Sequence, residues 1–232
     1  MPVGDSITAG ATEDRAYRYW LSQLLINAGI QSSFVGENTD WDVPTAYQGH
    51  NGNGGWCTTS YEDTYPTEAG TLCTTAVGDN GVIQHIDAWL VDKPADMVLL
   101  LIGTNDHLNY QHASNPLNTD QGVADRIGQI IDKVHTHNPA TIVLVSALHL
   151  EVGAPPYYPS SPANKNVLIQ AVVQTRPNAI FLDAYAGFDD SVDYDSTGDG
   201  SAPDGIHPAK SGAQKMAQNW MNAIQNYLQN GL

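Results

Sequence analysis

The apolar residues of this chain fall into two alternating patterns. One is a short unbroken run, as in a strand covered on both faces. The other recurs every three or four residues, as in a helix with one buried face. Residues 97–102 (MVLLLI) and 141–147 (TIVLVSA) are runs of the first kind, and 179–182 (AIFL) is a shorter one. Residues 33–36 predict a further short strand, and Met1-Pro2-Val3 a first strand so brief that more residues are expected upstream. The helical pattern covers 15–28, where Tyr17, Trp20, Leu21, Leu24 and Leu25 share a face and Gly29 supplies the stop. It returns at 82–91 (Ile83, Ile86, Trp89, Leu90) and at 119–137 (Val123, Ile127, Ile130, Ile131, Val134), which Pro139 ends. Residues 163–175 and 211–229 complete the set. No repeat or linker interrupts the alternation. It predicts one α/β domain spanning 1–232, a three-layer α/β/α sandwich around a mainly parallel five-stranded sheet.

Composition narrows what such a domain could serve. With 9 basic and 25 acidic residues, the formal net charge is −16, which repels phosphate backbones and anionic membranes. No nucleic acid partner is therefore expected. No apolar run reaches the 18 residues of a membrane span. Only 15% of residues are charged. Polarity comes largely from Asn, Gln, Ser, Thr and Tyr, which suits neutral, hydroxyl-rich ligands. The two cysteines, Cys57 and Cys73, read as one disulfide and hence an oxidising compartment, or alternatively as two free thiols.

In a parallel sheet, sites lie beyond the carboxyl ends of strands. Four stretches fall near such ends or before the last helix: Gly4-Asp5-Ser6-Ile7, the Gly-rich 49–56 (GHNGNGGW), Gly103-Thr104-Asn105-Asp106 and Asp204-Gly205-Ile206-His207-Pro208. Together they hold the parts of acyl transfer. Ser6 can be the nucleophile, His207 its base, and Asp204 the group that orients the base. The backbone N–H of Ser6, the backbone N–H of Gly55 and the side-chain amide of Asn105 can hold the oxyanion. Each part also has an ordinary reading. Ser6 could cap a turn, Asn105 could follow a strand, the glycines could belong to a loop, and Asp204 with His207 could be a surface turn or metal ligands. Their coincidence in one parallel sheet favours catalysis. The other histidines (His50, His85, His107, His112, His135, His137, His149) show no comparable pairing and read as surface or helix residues.

GDSIT at 4–8, Gly55, GTND at 103–106 and DGIHP at 204–208 resemble the four blocks of the SGNH (GDSL-type) hydrolase superfamily. The resemblance spans the chain. It implies Ser6, His207 and Asp204 as triad, and Ser6, Gly55 and Asn105 as oxyanion hole. Thr8 stands where a Gly-x-Ser-x-Gly elbow would place its second glycine, so an ordinary α/β-hydrolase is not indicated. Within the superfamily, HNGNGGW is similar to the H-x-G-x-x-G-W/Y pattern of carbohydrate esterase family 3. That resemblance implies a secreted acetylxylan esterase acting on acetylated plant polysaccharide or its oligosaccharides, with Trp56 against the substrate and no cofactor for catalysis. Other readings are a short-chain acyl esterase or lipid acylhydrolase, and a non-catalytic glycan-binding module.

One stretch stands apart. Asp193, Asp195, Thr197 and Asp199 have the spacing of a calcium loop, with Gly198 at its sixth position. Its twelfth position falls on Asp204, and no helix pattern precedes it, so a full EF-hand is not expected. A structural calcium ion that orders the approach to Asp204 and His207 is the expectation. A solvated acidic turn is the alternative.

Overall fold

The computed structural model describes residues 1–10, 16–39, 43–60, 73, 79–108, 119–149, 162–196 and 203–231. Six strands form the main sheet: β1 (Pro2–Gly4), β2 (Asn38–Thr39), β3 (Gly49–Gly52), β4 (Met97–Leu101), β5 (Ile142–Ser146) and β6 (Ala179–Leu182), in the order β2-β3-β1-β4-β5-β6. Five of them run parallel, with Val3 beside Asn51 on one side and Leu100 on the other, and Leu144 between Leu99 and Ile180. β2 is a two-residue antiparallel edge. A separate antiparallel hairpin pairs β7 (Tyr194–Ser196) with β8 (Pro203–Pro208).

The apolar runs become strands because the sheet is covered on both faces. Val98, Leu100 and Leu101 of β4 and Val143 and Leu144 of β5 are fully buried. The predicted helices form at the predicted places: α2 (Tyr17–Asn27), α3 (Val82–Asp92), α5 (Asp120–His137), α6 (Ala163–Gln174) and α7 (Lys210–Asn230). Thr119 caps α5 through a hydrogen bond from Gly122 N–H. Two single-turn helices, α1 (Ser6–Ala9) and α4 (Thr104–Leu108), are too short for periodicity to show.

Chain direction explains the layering. From β1 the chain moves to β3, then returns past β1 to β4, β5 and β6. Right-handed crossovers place the helices of these two directions on opposite faces. Accordingly α2 packs on α7, whereas α5 packs on α3 and α6. The direction reverses at β1, so the crevice of the sheet opens at the carboxyl end of the strand that leads into Ser6.

Three expectations need correction. The main sheet has six strands rather than five, because the two-residue β2 adds an antiparallel edge to the five parallel strands. Residues 33–36 are not a strand: Phe34 N–H bonds Ala46 O, Glu37 N–H bonds the Asn51 side chain, and sheet pairing begins only at Asn38 against His50. Nor is 49–56 wholly a loop, because Gly49–Gly52 is strand β3. Glycines there reflect crowding. A Cβ on Gly52 would lie 2.4 Å from the nitrogen of Ala9, so only hydrogen lets β3 pass α1.

Candidate active site

β1 delivers Ser6 to the first position of α1. Asp5 caps that turn, its Oδ1 accepting Ile7 N–H at 3.0 Å. From the far end of the chain, β8 brings His207 to Ser6, with Nε2 2.7 Å from Oγ. His207 Nδ1 lies 2.6 Å from Asp204 Oδ2. The other Asp204 oxygen accepts the N–H groups of Ile206 and His207, each at 2.8 Å. One oxygen thus fixes the backbone and the other the ring. Burial pushes the Asp204 carboxyl upward, but the hydrogen bonds from His207 Nδ1 and the two backbone N–H groups outweigh it and hold the carboxyl below its usual range. An ionised Asp204 only accepts, so His207 Nδ1 carries the proton and Nε2 faces the Ser6 hydroxyl as acceptor. That arrangement can take the proton from Ser6 and return it to a leaving oxygen.

Asp5 lies directly behind the serine and is fully buried. Burial drives its carboxyl up to about 7, against the opposing pull of Ile7 N–H, His207 and Thr104.

Two segments flank the serine. After β3, Trp56 N–H bonds Asn53 O across a turn whose third residue is Gly55, at φ +75°. That conformation suits glycine and strains other residues. Gly52 does not compete for the oxyanion role, since its N–H is taken by His50 Nδ1 at 3.1 Å. After β4, the one-turn helix α4 presents Asn105, whose Nδ2 donates to Trp56 O at 2.8 Å. The amide has a second N–H, and the bond to Trp56 ties the Asn105 segment to the Gly55 segment. The Trp56 ring is half-buried and packs with Trp89 and His85, centroids 5.6 and 4.8 Å away.

Cys57 and Cys73 form a disulfide, with both residues fully buried. It fastens the chain immediately after Gly55 and Trp56.

The calcium expectation reaches beyond the described residues, where Thr197 and Asp199 lie. Asp195 belongs to β7. The Oδ2 of fully buried Asp193 accepts Lys215 Nζ and Asp189 N–H, while its Oδ1 has no hydrogen-bond partner. Among the described residues, no three His, Cys, Asp or Glu side chains gather as a metal site would require.

Sequence reasoning passed over several residues here. His50 is not a surface residue: it is 4% exposed and holds the Gly52 turn. His149 stacks with Tyr185 and with Tyr194, at 5.3 and 5.8 Å, and its Nε2 reaches Asp190. Tyr194 belongs to β7, the partner strand of β8, so this cluster braces the hairpin that carries His207. The partners of His50 and His149, the Gly52 N–H and the rings of Tyr185 and Tyr194, are contacts that spacing does not mark.

The profile of the GDSL-like lipase/acylhydrolase family matches residues 3–215. A multidomain esterase of Ruminococcus flavefaciens is 26% identical over 98% of this chain, which spans only 28% of that protein's length. Among solved structures, a family 3 carbohydrate esterase of Clostridium thermocellum is 25% identical, with a TM-score of 0.69 over 99% of this chain and 96% of that one. A family 3 carbohydrate esterase from Talaromyces cellulolyticus shares the fold at 20% identity, with a TM-score of 0.72 over 99% and 97% of the two chains. The profile runs from the first strand past His207 into the last helix, enclosing the whole hydrogen-bonded chain from Ser6 to Asp204, and the protein belongs to the GDSL-like lipase/acylhydrolase family.

Proposed function

We propose that the protein is a serine esterase that removes acetyl groups from acetylated xylan or xylo-oligosaccharides. The observation that carries ester hydrolysis is the continuous line Ser6 Oγ, His207, Asp204, with contacts of 2.7 and 2.6 Å, at the switch point of the sheet. Ser6 Oγ attacks the acetyl carbonyl as His207 Nε2 takes its proton. The oxyanion rests on the N–H groups of Ser6 and Gly55 and on the Asn105 amide. His207 then protonates the departing sugar oxygen, and water attacks the acetyl-enzyme by the same route. Likeness to family 3 carbohydrate esterases supports a carbohydrate leaving group, with Trp56 the aromatic surface beside the site. A glycan-binding module without catalysis would have no use for the assembled triad. The disulfide supports an extracellular location. No helix among the described residues is long and apolar enough to cross a membrane.

For the loop before the base, the proposal is a structural calcium ion on Asp193, Asp195, Thr197 and Asp199. The buried, unpartnered Asp193 Oδ1 supports it, and Lys215 competes for the same carboxylate.

The test of substrate is a comparison of acetate release from acetylated xylan with hydrolysis of p-nitrophenyl acetate and of a longer acyl ester. The proposal expects acetylated xylan to be deacetylated and the longer acyl chain to be a poor substrate. Preference for the longer chain, with xylan untouched, would favour a lipid or general acyl ester instead.

A further inference from the structure

Three consecutive residues after Gly55 are each tied down. Trp56 O accepts the Asn105 amide, Cys57 is held by its disulfide, and Thr58 is gripped by Asp106. The last grip is the most complete. Asp106 Oδ2 accepts Thr58 N–H at 2.8 Å, and Oδ1 accepts the Thr58 hydroxyl at 2.6 Å. Arg126 Nε donates to the same hydroxyl oxygen at 2.7 Å, and Arg126 Nη2 lies 3.4 Å from Asp106 Oδ1. Because Arg126 can only donate, the Thr58 hydroxyl oxygen accepts from it and its own proton is directed to Asp106 Oδ1. Thr58 is fully buried, Asp106 is 1% exposed and Arg126 7%. Water therefore has little access to replace these bonds, and removing one partner leaves others unmet.

Asp106 adjoins Asn105 on the single turn α4, and Thr58 lies three residues beyond Gly55. The network thus joins the two segments that flank Ser6. We propose that Asp106, acting through Thr58 and backed by Arg126, is a positioning residue that sets the Gly55 N–H and the Asn105 amide at their mutual spacing. The proposal rests on the reading of Gly55 and Asn105 as oxyanion donors. Preorganised donors lose value when displaced, because the charge they meet develops only in the transition state. Loss of the network therefore lowers kcat and leaves KM nearly unchanged.

Thr58→Val removes the hydroxyl while keeping the shape, and Thr58→Ser restores it. The expected result with p-nitrophenyl acetate is a kcat lowered about 10- to 100-fold in Thr58→Val, below the full loss of a donor, with KM within about 3-fold and kcat recovered in Thr58→Ser. Asp106→Asn is expected to act in the same direction. Amide NMR gives a readout independent of turnover: Thr58→Val should move the Gly55 N–H and Asn105 side-chain resonances, and Thr58→Ser should return them. A folded Thr58→Val protein with a lower melting temperature but unchanged kcat and unchanged Gly55 and Asn105 resonances would overturn the proposal. Asn105→Ala, measured in parallel, separates the two ideas. If it keeps full activity, the oxyanion reading fails; if it loses activity while Thr58→Val does not, only the positioning role fails.

Discussion

At the scale of single residues, two side chains beside the reacting atoms make separate predictions. Asn105 is proposed as an oxyanion donor, and its amide also holds Trp56 O. Asn105→Ala should lower kcat by roughly 10² to 10³, the usual loss for one such donor, in a protein that still folds. Steady-state kinetics with circular dichroism of the variant checks this. Asp5 makes a prediction about pH. Its folded carboxyl is raised from 3.8 to about 7 by burial. A raised carboxyl contributes stability that is fully present below the unfolded value and is lost as pH rises through the folded one. Asp5→Asn keeps a cap for Ile7 N–H but has no charge to bury. The melting temperature of Asp5→Asn minus that of the wild type should therefore climb between about pH 4 and pH 7. Asp204, whose carboxyl is lowered, makes both proteins lose stability as pH falls below about 4, so it cancels in the difference. A difference that stays flat from pH 4 to pH 8 would contradict this account of Asp5.

At the scale of elements, His207 and the proposed oxyanion segment depend on different supports. His207 rides on the β7–β8 hairpin, and Ala209 N–H, two residues on, bonds Asp193 O at 2.7 Å. Lys215 in turn neutralises the Asp193 side chain. In calcium-free protein, Lys215→Met should leave a buried carboxylate without its cation, lowering both melting temperature and kcat, while Lys215→Arg should recover part of each. The calcium proposal for the same hairpin predicts a lower melting temperature after chelator treatment, restored by Ca²⁺. An unchanged melting curve with no calcium in elemental analysis would refute the ion. On the other side of the serine, the Cys57–Cys73 disulfide closes a separation of 16 residues, and a loop near that size is worth about 3 kcal/mol in the chain-entropy account. Reduction should lower stability and, because the bond follows Gly55 and Trp56 directly, activity as well. Stability lost without activity would detach the disulfide from the site.

At the scale of the whole molecule, what the sequence made legible was what repeats or coincides. Continuous apolar runs such as MVLLLI could be read because β4 is buried on both faces, and five of the longer helices because each keeps one apolar face inward. Ser6, His207 and Asp204 could be read because their residue types are rare in combination, Ser6 following the first strand and Asp204 with His207 preceding the last helix. The rest depended on contacts that spacing does not encode. β3 looked like a loop because its glycines answer to close backbone neighbours, Gly52 to α1 and Gly49 to residues 34–36, rather than to a turn. α1 is a single turn held by its Asp5 cap, and α4 one held by the bonds of Asn105 and Asp106 to Trp56 and Thr58. Thr58, Asp106 and Arg126 meet from three separate segments, and His149 meets Tyr194 from a segment far away in sequence. All of these pieces converge on the switch point at β1, where the strand order reverses and the chain leads directly into Ser6. The most direct test of that convergence is acetate release from acetylated xylan by wild-type protein and by Ser6→Ala, with circular dichroism confirming that both are folded. The account predicts steady acetate release by the wild type and none above background by Ser6→Ala. Comparable release by the folded variant would contradict it.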